Sequence, residues 1–267
     1  MLTVLLSLAL LAAQPLDGKP GDLDVVKSLA DRVIANYRIE FFTPDTQPVQ
    51  HYTRVEDIPR HTHVRAGANF FDWTYTTGIL NSSLVQLAQV TGDSSYVAYA
   101  QKQMAYPLEN YKRVDPKPGN VVDWNVFYAL RRYDELDFVG TQNGAVIDVN
   151  TYTGENRYED YVQRAAEHIR HGQQRLKDGT LVRDWPQKGC LWADDLYMGP
   201  AFMVRYGVAY NYKEMIADAV RQVDNFNKYL WCPRPGSIIT ATIPKRRNPP
   251  DSTGAAATAG LSKAPAK

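Results

Sequence analysis

Cysteine is scarce in this chain: Cys190 and Cys232 are the only two among 267 residues. Two cysteines form one bridge at most and cannot build a disulfide scaffold, even in an oxidising compartment. Long apolar runs are missing after residues 1–13, so no later segment is a candidate membrane span. Strand-like alternation is rare, with weak candidates only at 51–55 and around 180–183. A strongly basic body is also absent. Six of the 30 basic residues, but only one of the 29 acidic ones, lie in 232–267. The body before residue 232 is therefore mildly acidic and has no nucleic-acid footprint, which would be a basic face. The Walker loop, the glycine-rich dinucleotide fingerprint and the G-x-S-x-G elbow are missing too. His61 and His63 stand close together, but no acid–His–Cys set with ligand spacing accompanies them, so no metal and no organic cofactor is expected.

What is present is a helical protein. Hydrophobic residues make up 44% of the chain, enough for a sizeable core. Residues 1–13 read as a secretory signal peptide cleaved near Ala13, and hence a secreted product. Beyond them, apolar residues recur at helical spacing. They do so in Leu23, Val26, Leu29, Val33 and Tyr37, in Tyr158, Tyr161, Val162, Ala165 and Ile169, and in Met215, Ala219, Val223, Phe226 and Leu230. Polar connectors rich in Pro, Gly or Asp fall at 44–65, 114–120 and 177–189. From Cys232 onward the spaced apolar residues stop, and 232–267 reads as a low-complexity tail without structure. A strand near 238–243 is the alternative.

A unit repeats. Thr91-Gly92-Asp93-Ser94-Ser95-Tyr96 resembles Thr153-Gly154-Glu155-Asn156-Arg157-Tyr158, and a fainter copy begins at Asn211-Tyr212. Each copy reads as a helix end, a tight turn and the start of an amphipathic helix at 158–171 or 212–230. Before each lies a more apolar helix with small residues, such as Gly78, Gly144, Ala145, Gly199 and Ala201. Inner helices wrapped by outer ones stack into an α/α toroid or a solenoid.

The inner helices open on acids. Asp194 follows Trp192 and starts the apolar run that begins at Leu196; Asp137 and Asp72 stand at similar places. A carboxylate at a helix start lies in the positive end of the helix dipole, and a neighbouring indole offers a flat face for a sugar ring. Asp194 is the main candidate acid or base, with an ordinary N-cap role as the alternative. Asp195 is expected to point elsewhere, toward a cap or a neighbouring loop. Asp137, crowded by Asp134 and Glu135, is the second candidate, since like charges raise a carboxyl pKa. Asp72-Trp73 offers a substrate-facing acid and aromatic, or else a buried core tryptophan. Trp124, Trp185 and Trp231 read as core or rim. Arg183 offers a fork for a substrate carboxylate, or else is a solvated loop arginine. Asn81-Ser82-Ser83 matches a glycosylation sequon but falls inside an inner helix, where it is expected to be silent.

Together, Leu191-Trp192-Ala193-Asp194-Asp195-Leu196-Tyr197-Met198 resembles the W-x-D-D-L-(F/Y)-M signature of the unsaturated rhamnogalacturonyl hydrolases, family 105 of the glycoside hydrolases. Asp72-Trp73 with Gly78, Leu136-Asp137, Thr153 to Tyr158, and Asp178 to Arg183 support it, over roughly 22–231. The resemblance implies an all-α, (α/α)6 barrel and a pectin-derived oligosaccharide substrate ending in a 4,5-unsaturated uronic acid. It implies Asp194 as general acid/base, Asp137 as its helper, and Trp192 and Arg183 as substrate contacts, without a metal or cofactor. Only about seven of twelve barrel helices are countable over 20–231, so the toroid reads as incomplete and C-terminally truncated. An open side invites self-association, and weak or no turnover is expected of 15–231. Other readings are another toroidal glycosidase, a polysaccharide lyase, or an inert sugar-binding remnant.

Overall fold

The computed structural model describes residues 21–113, 126–133, 135–231 and 241–242. The leader 1–13, Trp124, Asp134, Cys232 and most of the tail lie outside these. None of the described helices is long and apolar enough to cross a membrane. The chain starts with α1 (Asp22–Ala35). A small antiparallel sheet follows, with β1 (Phe41–Phe42) between β2 (His51–Tyr52) and β3 (Arg65–Ala66). Phe41 stands opposite Tyr52 and Ala66. Then come α2 (Tyr75–Thr91), α3 (Ser95–Asn110), α4 (Gly140–Thr153) and α5 (Glu159–Glu167), which runs into a π turn at His168–Gly172. The last part holds β4 (Leu191–Trp192), α6 (Asp195–Met198), α7 (Pro200–Ala209), α8 (Lys213–Leu230) and β5 (Ala241–Thr242).

The repeated unit is a helix stop with a defined hydrogen-bond pattern. Gly92 and Gly154 take φ of 75° and 73°, and Asn211 takes 53°. These left-handed values suit glycine and asparagine, which tolerate that region. Thr91 Oγ1 donates to Leu87 O (2.7 Å) and accepts from the Asp93 amide (3.2 Å). Thr153 Oγ1 does the same with Val149 O (2.9 Å) and the Glu155 amide (3.3 Å). Each stop reverses the chain into the next helix and so makes the hairpins α2–α3, α4–α5 and α7–α8.

Inner helix α4 packs against both α2 and α7. Nine of its fourteen residues are buried, including the polar Thr141, Gln142 and Asn143. A Cβ on Gly78 of α2 would lie 2.6 Å from the Gln142 amide nitrogen, so the two backbones touch there. The outer helices are one-sided instead. In α5 the buried residues are Tyr161, Val162, Ala165 and Ala166, and in α8 they are Met215, Ala219, Gln222, Phe226 and Leu230. Burying each large one contributes roughly 1.5–3 kcal/mol. These three inner–outer hairpins form an incomplete (α/α)6 toroid.

Three expectations change. The apolar stripe of α1 stays largely outside: Leu23, Val26 and Leu29 are exposed, and Ala30 is its one buried residue. The connector 44–65 contributes strands rather than loop alone, because Phe41, Val55 and Val64 bury their side chains in the core. Ala241 and Thr242 pair antiparallel with Trp192 and Leu191, so the tail supplies a strand beside the acidic block. Asn81 of the sequon is 1% exposed and donates to Gln103 Oε1 at 2.5 Å.

Candidate active site

The site is assembled by a hairpin and two helix starts. Arg183 and Cys190 exchange backbone hydrogen bonds of 2.9 and 3.0 Å, closing the turn between them. The chain then runs through β4 into α6, which carries Asp195 in its first turn. Asp137 lies in a 3-10 turn, Leu136–Phe138, just ahead of α4. α6 packs on both that turn and α4. Gly140 allows this approach, because a Cβ there would fall within the Met198 carbonyl.

Arg183 is the hub. Its side chain is 2% exposed, one of the largest fully buried in the protein. Nε donates to Asp195 Oδ2 at 3.0 Å, and Nη2 donates to Asp195 Oδ1. Nη1 and Nη2 reach Asp137 Oδ2 and Oδ1, each at 3.1 Å. Glu135 Oε2 lies 3.8 Å from Nη1. The guanidinium carbon sits 4.6 Å from the Trp192 ring centroid, a cation–π distance. Trp192 in turn tilts against Trp185, centroid to centroid 5.8 Å. The fork that the sequence suggested for a substrate carboxylate, or else for solvent, is occupied by two carboxylates of the protein.

One guanidinium faces three carboxylates, so negative charge is in excess. Burial pushes the Asp195 carboxyl up to about 6; Arg183 opposes the rise, and the charges of Asp137 and Asp194 add to it. Burial works against the Arg183 cation, but Asp195 and Asp137 outweigh it and hold the guanidinium firmly charged. Asp195 thus points toward a neighbouring loop, as expected, and its partner there is Arg183 of the 177–189 connector. It is 1% exposed. The Asp-Asp spelling hides this, because consecutive residues at a helix start face about 100° apart.

Asp194 is the outward member of the pair. It is exposed, occupies the N-cap position of α6, and makes no side-chain cap bond. Its main-chain oxygen accepts from the Tyr197 and Met198 amides instead. Trp192 beside it is half-buried.

Trp73 is 2% exposed, which makes it a core tryptophan and not a substrate-facing one. Asp72 shares no hydrogen bond or ion pair with the Arg183 cluster among the described residues. Burial pushes its carboxyl up to about 6, against a backbone amide and Thr74 that favour the charged form. Its main-chain oxygen accepts from Gln103 Nε2 at 2.7 Å. Among the described residues no group of three His, Cys, Asp or Glu could hold a metal. His63 pairs with Asp45, Nδ1 to Oδ2 2.8 Å, and Cys190 is a buried free thiol whose Sγ donates to Trp185 O.

A model of Glycosyl Hydrolase Family 88 matches residues 50–249, most of the chain and all of this cluster. The chain belongs to Glycosyl Hydrolase Family 88. That span passes residue 231 and takes in β5. Among solved structures, a possible GH105-family member from Klebsiella pneumoniae subsp. pneumoniae is similar at 14% identity and a TM-score of 0.59. It covers 85% of this chain and 53% of its own. A possible GH105 member from Salmonella enterica serovar Paratyphi A gives 16% and 0.58, over 86% and 55%. A family 105 glycoside hydrolase from C. acetobutylicum gives 19% and 0.50, over 65% and 44%. At such identities these likenesses concern the fold. This Family 88 chain spans about half the length of those structures. No curated protein matches it.

Proposed function

We propose that this Family 88 member hydrates the 4,5 double bond of an unsaturated uronic acid at the non-reducing end of a pectin-derived oligosaccharide. Asp194 protonates C4, and positive charge develops at C5. Asp137 polarises the water that adds there, and the Asp194 carboxylate takes up the proton that the water loses. The resulting hemiketal opens and releases the next sugar, while the indole of Trp192 packs on the substrate. The observation that carries this reading is Asp194: an exposed carboxylate without a side-chain cap bond, two residues from a half-buried tryptophan, whose chain neighbour Asp195 belongs to a carboxylate–guanidinium cluster. A proton donor needs that freedom to reach a carbon atom. No step calls for a metal or an organic cofactor. Secretion through 1–13 belongs to the same proposal, as does self-association through exposed apolar residues such as Val204 and Val208 of α7.

The test follows the ultraviolet absorbance of the conjugated double bond in an unsaturated galacturonate or rhamnogalacturonan disaccharide. Turnover by the 267-residue chain is expected to be slow, since it spans about half the length of the similar structures. Asp194→Asn should lower that rate by about 10²–10⁴-fold, the usual contribution of general acid–base catalysis. Equal rates in the two proteins would remove Asp194 from the mechanism.

A further inference from the structure

A guanidinium carries five N–H donors in a planar fork. Arg183 makes four donor–acceptor contacts with Asp195 and Asp137, and it is 2% exposed. No second fork remains for a substrate carboxylate. The two acids come from different parts of the chain. Asp137 precedes inner helix α4 and is 46 residues from Arg183; Asp195 opens α6 and is 12 residues away. Arg183 is therefore the only described cation that ties the start of α4 to the start of α6 at this point.

We propose that Arg183 is a positioning residue: it fastens the turn bearing Asp137 to the helix bearing Asp195, and so presents Asp194 to the substrate free of any ion pair. This rests on the reading of Asp194 as the proton donor. Two further observations support it. Arg183 lies against the Trp192 indole, so the fork that fixes the acids also fixes the aromatic beside Asp194. The hairpin is rigid where it matters, because Arg183 and Cys190 are joined by two backbone hydrogen bonds and Leu191 is fully buried. The groups facing the guanidinium are Glu135 and Asp137 from the turn, Asp195 from α6 and Trp192 from β4. With three acids around one cation, Arg183 has no vacancy to release toward a ligand without leaving the buried Asp195 carboxylate unpaired, which is costly.

The experiment compares the full chain with Arg183→Lys and Asp195→Asn. It measures steady-state turnover of an unsaturated galacturonate disaccharide and calorimetric affinity for the saturated disaccharide. Lysine keeps the charge but loses the planar fork. Asp195→Asn breaks the same tie from the other side, and it decides the question should Arg183→Lys fail to fold. Each variant should lower kcat by about 100-fold, the effect of an ångström-scale misplacement. KM and Kd should stay within about 3-fold, because Asp195→Asn leaves the Arg183–Trp192 contact in place and lysine keeps a cation beside that indole. A rise of about 10-fold or more in KM and Kd for Arg183→Lys, with Asp195→Asn unchanged, would make Arg183 a substrate contact and overturn the inference. So would wild-type kinetics in both variants; if Asp194→Asn is then still inactive, the functional reading survives and this one alone falls. A wild-type chain that neither turns over nor binds the sugars would overturn both.

Discussion

Asp72 is a half-buried carboxylate with no ion pair among the described residues, and its replacement by asparagine gives a signed prediction. Burial raises its carboxyl from 3.8 to about 6. A carboxyl raised on folding contributes stability that is fully present below its unfolded pKa and is lost as pH rises through the folded value. For Asp72 the window runs from about pH 4 to just above 6. The shift is near two units, and at 1.36 kcal/mol per unit the loss at about pH 8 is at most about 3 kcal/mol. Partial contact with solvent lowers the effective figure, so about 1–2 kcal/mol is expected. An asparagine side chain in its place would carry no charge and could still accept the backbone and Thr74 hydrogen bonds. Asp72→Asn should therefore match wild type in urea unfolding near pH 4 and be more stable by about 1–2 kcal/mol near pH 8. A variant no more stable than wild type near pH 8, or a difference that does not change with pH, would refute the account of Asp72 as a desolvated acid.

Other outcomes follow from the packing. Gly140→Ala sets a methyl group against the Met198 carbonyl, with backbone on both sides. It should cost about 3 kcal/mol or more, lower the melting temperature, and slow turnover as α4 and α6 separate. Gln103→Ala strands the Asn81 amide and leaves the Asp72 main-chain oxygen with the weaker Thr77 hydroxyl bond alone; a loss of about 2 kcal/mol in urea unfolding is expected. Asn81 should carry no glycan after expression through a secretory pathway, because the folded protein hides it. A glycan mass on the Asn81 peptide of folded protein would contradict the placement of α2.

Much of the architecture was legible because its causes are local. Helices with apolar residues at 158–171 and 212–230 appear as α5 with its π turn and as α8, since a one-sided stripe needs a partner and finds it in an inner helix. The stripe of α1 marked its helix, but only its end, Val33, Ile34 and Tyr37, packs against the core, while Leu23, Val26 and Leu29 stay exposed. The sheet of Phe41, His51 and Arg65 was read mainly as connector, since strands of two residues are too short to show alternation. In the site, Asp137 and Asp194 were found at helix starts, where the dipole favours an acid. The pairing of Arg183 with Asp195 and Asp137 was not legible, because nothing within a few residues of any of them names its partner.

The spacing of apolar residues and the Thr-Gly stops determined, from sequence alone, that the chain folds into helical hairpins with acids at the inner ends. These features depend on hydrogen bonds and contacts reaching three or four residues along the chain. Only the tertiary structure decided that Arg183 joins Asp137 to Asp195, that Asp195 is the buried member of its pair and Asp194 the exposed one, and that Trp73 belongs to the core. An ion pair across 46 residues is set by how a hairpin and a helix start are packed together. Burial then selects which member of an acid pair meets water.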